Sequence, residues 1–162
     1  MSPAYVALGS NLDDPRSRVL EALDALEHRV RATRLVLRSS LYVTSPVGPV
    51  EQPDFVNAVA GLLTGLDPAS LLAELKELER SLGRAPSSVR WGPRRIDLDL
   101  LVHGPSRLAS PGLLLPHPGI AGRAFVLEPL AEIAPDLEVP GVGVVRDLLA
   151  RVDRSSVARI AA

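Results

Sequence analysis

Residues 90–101, RWGPRRIDLDLL, constrain the fold more tightly than any other stretch of the chain. Successive side chains of a strand leave opposite faces, so Asp97 and Asp99 point one way and Ile96, Leu98 and Leu100 the other. One face is therefore made for burial, and the other carries two carboxylates that repel each other unless something positive lies between them. Two partners fit. The guanidinium groups of Arg90, Arg94 and Arg95 would make an internally neutralised salt-bridge cluster on a solvated sheet. Alternatively, a divalent cation would bridge the carboxylates to water or phosphate oxygens. Mg²⁺ suits such a place, because it takes one or two carboxylates together with substrate phosphates, and the arginines then become planar phosphate clamps.

The surrounding pattern places this strand last in a series. Tyr5 to Leu8 form a short apolar strand that stops at Gly9-Ser10-Asn11. Asp14 is an N-cap with Pro15 behind it, and Val19, Leu23, Leu26 and Val30 recur at helical spacing. Residues 33–44 are rich in β-branched and apolar side chains and predict one long strand, ending at Ser45-Pro46 before the proline-stiffened loop PVGPVEQP. A strand over residues 55–64 puts Phe55, Asn57, Val59 and Gly61 on one face and Val56, Ala58, Ala60 and Leu62 on the other. Asp67-Pro68 starts a second helix whose stripe is Leu71, Leu75, Leu78 and Leu82, with Gly83 as its C′ residue. Glu79 sits at the edge of that stripe, where a carboxylate needs a partner.

Strand, helix, strand, strand, helix, strand is the split βαβ order. It predicts an α+β, ferredoxin-like βαββαβ core with an antiparallel sheet and helices on one side. A short return strand is expected over residues 112–115, helical turns over 126–133, an extended piece over 137–139 and a last helix over 145–152. This C-terminal elaboration is expected to cover one end of the sheet. The whole of residues 1–162 is expected to form a single domain, since no linker, repeat or low-complexity segment interrupts it.

Composition narrows the chemistry. A net charge of −1 gives no general electrostatic grip on nucleic acid or on a membrane surface, so any anion binding is local. The absence of cysteine removes thiolate metal sites and thiol nucleophiles. No basic leader and no apolar run near 18 residues is present, so a cytoplasmic protein is expected. There is no Walker A motif and no nucleophile elbow. Of the three histidines, His28 reads as surface and His103 as structural. His117 is held between Pro116 and Pro118, six residues before Arg123, an arrangement equally suited to a phosphate contact or to packing. Phe55 and Asn57 share a face, and a flat heterocycle with donors and acceptors on its edge would stack on the ring and satisfy the amide together.

The chain resembles the 6-hydroxymethyl-7,8-dihydropterin pyrophosphokinase family over nearly its whole length. The matching motifs are Gly9-Ser10-Asn11; Thr44 to Pro49 followed by Gln52-Pro53-Asp54-Phe55-Val56-Asn57; RWGPRRIDLDLL; and Pro116-His117 with Arg123-Ala124-Phe125. The resemblance implies transfer of the terminal diphosphate of ATP to the pterin hydroxymethyl group, with release of AMP, by a cytoplasmic monomer using two Mg²⁺ ions. It implies that Asp97 and Asp99 hold the metals and act in catalysis with Arg84 and Arg94. It also implies that Phe55 and Phe125 sandwich the pterin, whose edge meets Asn57, Thr44, Ser45, Pro46 and the backbone near Val47. Arg84, Arg94, His117 and Arg123 are implied to address the triphosphate, with Glu79, Trp91 and Leu100 toward the nucleotide. Two departures concern ATP alone: Pro86 stands where a second basic residue is common, and Pro118 where an aromatic is. The competing readings are a single-stranded RNA module stacking bases on strand aromatics and a Mg²⁺-dependent sugar transferase. The first wants a basic face and more aromatic residues, the second a doubly wound pattern.

Overall fold

The computed structural model describes residues 1–46, 52–83 and 96–160. Its main sheet is antiparallel throughout, in the order β10 (Val157–Arg159), β3 (Tyr42–Thr44), β4 (Phe55–Thr64), β1 (Ser2–Ser10), β5 (Asp97–His103), and β2 (Thr33–Arg38) also pairs with β4. With β2 and β3 taken as one interrupted strand, this is the expected ferredoxin-like order.

Both early helices start as the sequence dictates. The Asp14 carboxylate accepts the Ser17 N–H at the head of α1 (Pro15–His28), and the Asp67 carboxylate accepts the Ser70 N–H at the head of α2 (Pro68–Leu82). These bonds hold both caps below the usual carboxylate range. Gly83 ends α2 in a right-handed conformation, at φ −91°, not in the left-handed one typical of a C′ glycine. Helices α1 and α2 lay Leu23, Leu26, Leu71 and Leu75 on the inward residues of three strands, among them Leu8, Ala58, Leu62, Leu98 and Leu100, all buried. Each leucine so covered contributes roughly 1.5–3 kcal/mol.

Two expectations need correction. Residues 33–44 do not make one strand. Arg38 lies opposite Ala60 and Tyr42 opposite Asn57, so three residues face two on β4 and the ladder bulges. Ser39 fills the break: its N–H donates to the Val59 carbonyl, and its hydroxyl accepts the Val59 N–H at 2.9 Å. Nor does the C-terminal third cover merely an end of the sheet. Helices α3 (Ala124–Ile133) and α4 (Val145–Leu149) pack on the second face, where Val59, Leu101, Leu127, Leu130 and Val145 form another core. Leu101 reaches that side because it is the extra residue of a β1–β5 bulge, between the pairs Tyr5–Val102 and Val6–Leu100.

The remaining elements are short: the hairpin β6 (Leu108–Ser110) and β7 (Leu113–Leu115), the hairpin β8 (Glu138–Val139) and β9 (Gly143–Val144), and a 3-10 turn over Ile120–Gly122. The sequence pattern does not announce β6 or β10, and α4 stops at Leu149, short of the expected 152. Among the described residues, no helix is long and apolar enough to cross a membrane.

Candidate active site

The second face is covered only in part, and what remains open is a cleft of about 320 Å³. Register explains why it is open. Asp97 stands opposite Gly9 and Asp99 opposite Ala7, while Gly9 is in turn opposite Asn57. Small side chains on the middle strand thus leave room beside each carboxylate. At Gly9 the space is needed, because a Cβ there would lie 3.0 Å from the Asn57 amide nitrogen.

Phe55 of β4 and Phe125 of α3 both line this cleft, with Ser45, Pro46, Asn57, Asp97, Asp99 and Arg123. Thr44 does not line it. Its hydroxyl donates to the Asn57 side-chain carbonyl at 2.8 Å, which turns the Asn57 NH₂ away and leaves it as the donor at the cleft. Thr44 is thus set one layer behind, orienting Asn57. Two of the motifs meet nearby, where the Asn11 amide donates to Gln52 Oε1 at 3.2 Å.

A second cleft, of about 430 Å³, opens along the outer edge of β5 and is lined by Leu72 and Lys76 of α2, Leu98, Asp99 and Leu100 of β5, residues 110–114, His117 and Pro118. Asp99 borders both clefts. The two carboxylates project from one edge strand roughly 6–7 Å apart along the chain, and each is partly exposed. Hard oxygen donors, so spaced and facing open volume, match the one or two protein ligands that Mg²⁺ takes alongside phosphate oxygens. The described residues hold one group of three metal-capable side chains, Asp24, Glu27 and His28, exposed on α1 beyond the other face of the sheet.

His117 is built in from two sides. Its backbone N–H donates to the Leu101 carbonyl at 2.9 Å, and its Nδ1 accepts the Gly119 N–H at 3.0 Å. The ring proton is thereby assigned to Nε2. Burial lowers its pKa, Asp99 works against this, and Arg123 adds to the lowering. The exposed Arg123 guanidinium lies across Gly119 and 5.9 Å from the centre of the Phe125 ring. A Cβ at Gly119 would meet that guanidinium at 2.6 Å.

Glu79 has the partner its position demands. Its carboxylate accepts the Leu98 N–H at 3.0 Å, between the two aspartates, and lies 3.6 Å from Lys76. It lines neither cleft and instead holds the edge strand, whereas Leu100 does line the second. Val47, Arg84, Pro86, Trp91 and Arg94 lie outside the described residues. His103 is buried, with Nε2 2.8 Å from the Leu66 carbonyl, and His28 is on the surface beside Asp24, both as expected. What the residue-by-residue reading missed is the role of small residues: Ala7 and Gly9 alternate with Val6 and Leu8, and that alternation was a visible signal. Leu72 and Lys76 had no such signal.

Comparison with known proteins points one way. Residues 5–135 match the family described as 7,8-dihydro-6-hydroxymethylpterin-pyrophosphokinase. A 2-amino-4-hydroxy-6-hydroxymethyldihydropteridine pyrophosphokinase of Pseudomonas aeruginosa is 48% identical over 156 residues, covering 96% of this chain and 95% of that one. A protein of the same name from Haemophilus influenzae is 43% identical, covering 92% of each. In fold, the chain is similar to the crystal structure of wild-type Plasmodium falciparum HPPK-DHPS with pterin and p-hydroxybenzoate. There the TM-score is 0.75 at 16% identity over 99% of this chain, which spans less than half (45%) of that longer protein.

Proposed function

The chain belongs to the 7,8-dihydro-6-hydroxymethylpterin pyrophosphokinase family, and we propose that it transfers the terminal diphosphate of ATP to the hydroxymethyl group of 6-hydroxymethyl-7,8-dihydropterin, a step of folate biosynthesis. The hydroxymethyl oxygen attacks the β-phosphorus and loses its proton, the bond between the α,β-bridging oxygen and the β-phosphorus breaks, and AMP leaves. The observation that carries the reading is that Asp99 borders both clefts, so a group in one can reach a group in the other at a carboxylate.

The pterin occupies the first cleft, its faces against Phe55 and Phe125 and its edge on the Asn57 amide, with Ser45, Pro46 and Val47 beside it and Thr44 behind. Such stacking is worth about 1–3 kcal/mol. ATP occupies the second cleft and reaches toward β5. Two Mg²⁺ ions, held by Asp97 and Asp99, would neutralise the triphosphate and polarise the diphosphate being transferred. The rest falls to positioning, since this chemistry needs in-line placement and charge neutralisation and no covalent nucleophile. His117 offers its Nε2–H, and Arg123, steadied over Phe125, offers a permanent charge at the rim of the pterin cleft. Arg84 and Arg94 are assigned to the triphosphate and Trp91 to the nucleotide. Glu79 keeps the backbone between the aspartates in place.

The protein is proposed to act as a cytoplasmic monomer of one domain. The RNA-binding reading loses its basis, because the two phenylalanines sit on β4 and α3, not on adjacent strands, and α3 and α4 cover part of the face a nucleic acid would need. Incubation with ATP, Mg²⁺ and the hydroxymethyl pterin is expected to give AMP and the pterin diphosphate in equal amounts. Formation of ADP, or no turnover, would reject the assignment.

A further inference from the structure

Helix α3 carries Phe125 in its first turn and Glu132 in its last. Seven residues make about two turns, so both side chains leave the same side of the helix, roughly 10 Å apart along its axis. A carboxylate in the last turn is opposed by the helix dipole, so its place there needs compensation. Glu132 has it in quantity. Its carboxylate accepts the Ser40 N–H and hydroxyl, each at 3.0 Å, the Tyr42 hydroxyl at 2.6 Å and Arg159 at 2.8 Å. The residue as a whole is exposed, yet its side chain is only 23% so.

These donors come from segments that build the pterin cleft. Ser40 lies in the β2–β3 bulge. Tyr42 stands directly opposite Asn57 on β4. Arg159 belongs to β10, whose Val157 pairs with Thr44, and the Ser45 N–H donates to the Ser156 carbonyl at 3.1 Å. One turn earlier on α3, Glu128 pairs with Arg154. The C-terminal segment thus clasps α3 on one side and the Thr44–Ser45 wall on the other, although it lies beyond the residues that match the family model.

We propose that Glu132 is a positioning residue: by tying α3 to the bulge, to Tyr42 and to β10, it sets the gap between Phe125 and the Phe55–Asn57 wall, and so the affinity for the pterin. This rests on the reading of that cleft as the pterin site. It predicts an effect on one substrate alone, since nothing in the clasp touches the second cleft.

The chain has only two phenylalanines, Phe55 and Phe125, which makes the gap directly readable. Full-length protein labelled with 4-fluorophenylalanine gives two ¹⁹F lines, one for each wall. In Glu132→Gln the Phe125 line is expected to move or broaden while the Phe55 line stays. The pterin KM is expected to rise about fivefold with kcat and ATP-analogue affinity within about twofold. Tyr42→Phe, which removes a single hydrogen bond, is expected to act in the same direction more weakly and carries the test should Glu132→Gln fail to fold. Both lines at their wild-type positions, with pterin KM unchanged and only the melting temperature lowered, would overturn the proposal. Failure of the wild-type protein to turn over the pterin would sink the proposed function instead, and the ¹⁹F lines would still decide whether Glu132 places Phe125.

Discussion

The two faces of the central sheet are made from the same strands and do opposite work. Along β1, β4 and β5, one set of alternate residues, including Leu8, Ala58, Leu62, Leu98 and Leu100, is buried on the side of α1 and α2, with Leu98 and Leu100 at its edge also bordering the second cleft. The other set, Ala7 and Gly9, Phe55 and Asn57, Asp97 and Asp99, lines open volume. A one-residue slip of register would exchange the two sets. The buried face therefore fixes, through register, where every polar group of the open face stands. Stability and chemistry are separated by a period of two residues.

If that division is real, substitutions on the two faces should fail in different assays. Leu75→Ala, in the helix-side core, is expected to cost about 2–5 kcal/mol of unfolding free energy. Below its melting temperature it should leave kcat/KM within about twofold, and a large activity loss in the folded state would break the separation. Asp97→Ala should do the reverse. Turnover is expected to fall by more than about a hundredfold, as when a charge-stabilising group is lost, with a smaller change in melting temperature than Leu75→Ala. Phe125→Ala is expected to weaken pterin binding by roughly tenfold to a hundredfold by removing one stacking wall, measured by titration in the presence of an ATP analogue. Gly9→Ala sharpens the comparison because it adds one carbon to the open face. The new Cβ presses on the Asn57 amide, so a pterin affinity lower by about threefold to tenfold is expected, with ATP-analogue binding unchanged.

The smallest effect concerns pH and the brace between the faces. Burial alone would raise the pKa of Glu132, but hydrogen bonds from Tyr42, Ser40 and Arg159 outweigh it and hold the carboxyl below its ordinary value. A depressed folded-state pKa stabilises the protein fully above the unfolded value of about 4.3, and this stabilisation is lost as pH falls through the folded value. The stability gap between wild type and Glu132→Gln, read from urea melts, is therefore expected to be wide at pH 7 and to narrow as pH falls below the unfolded value and through the depressed folded one. A gap independent of pH would remove charge from the account of the brace.

The alternation that separates the faces was also what made the fold legible. The pattern in residues 55–64 and 96–100 assigned each side chain to its face, and two Asp-Pro steps marked both helix starts. Local pattern could not show which distant segment covers a face. The helical segments near 126–133 and 145–152 were legible, but the apolar Val59 was the hint that they pack on the face expected to be open, and a lone valine is weak information. The interruption of residues 33–44 was hidden for a related reason: Ser39 reads as a tolerable strand residue, and only the register on β4 makes its hydroxyl stand in for a backbone group. In the site, the motifs named Asn57, Phe125 and the aspartates. Pattern alone could not show that Thr44 bonds the Asn57 side chain and Glu79 the Leu98 N–H, each on a neighbour of the cleft.

The central claim, that the aspartates of the open face exist to hold metal against a triphosphate, is tested most directly with Mn²⁺ in place of Mg²⁺ and α,β-methylene-ATP, whose bridging bond cannot be cleaved. The electron paramagnetic resonance signal of free Mn²⁺ should fall on adding wild-type protein and the analogue together, beyond what the analogue alone removes, and should do so far less with Asp97→Asn/Asp99→Asn. Equal loss of signal with the double variant would mean that the metal is held elsewhere, and would contradict the account.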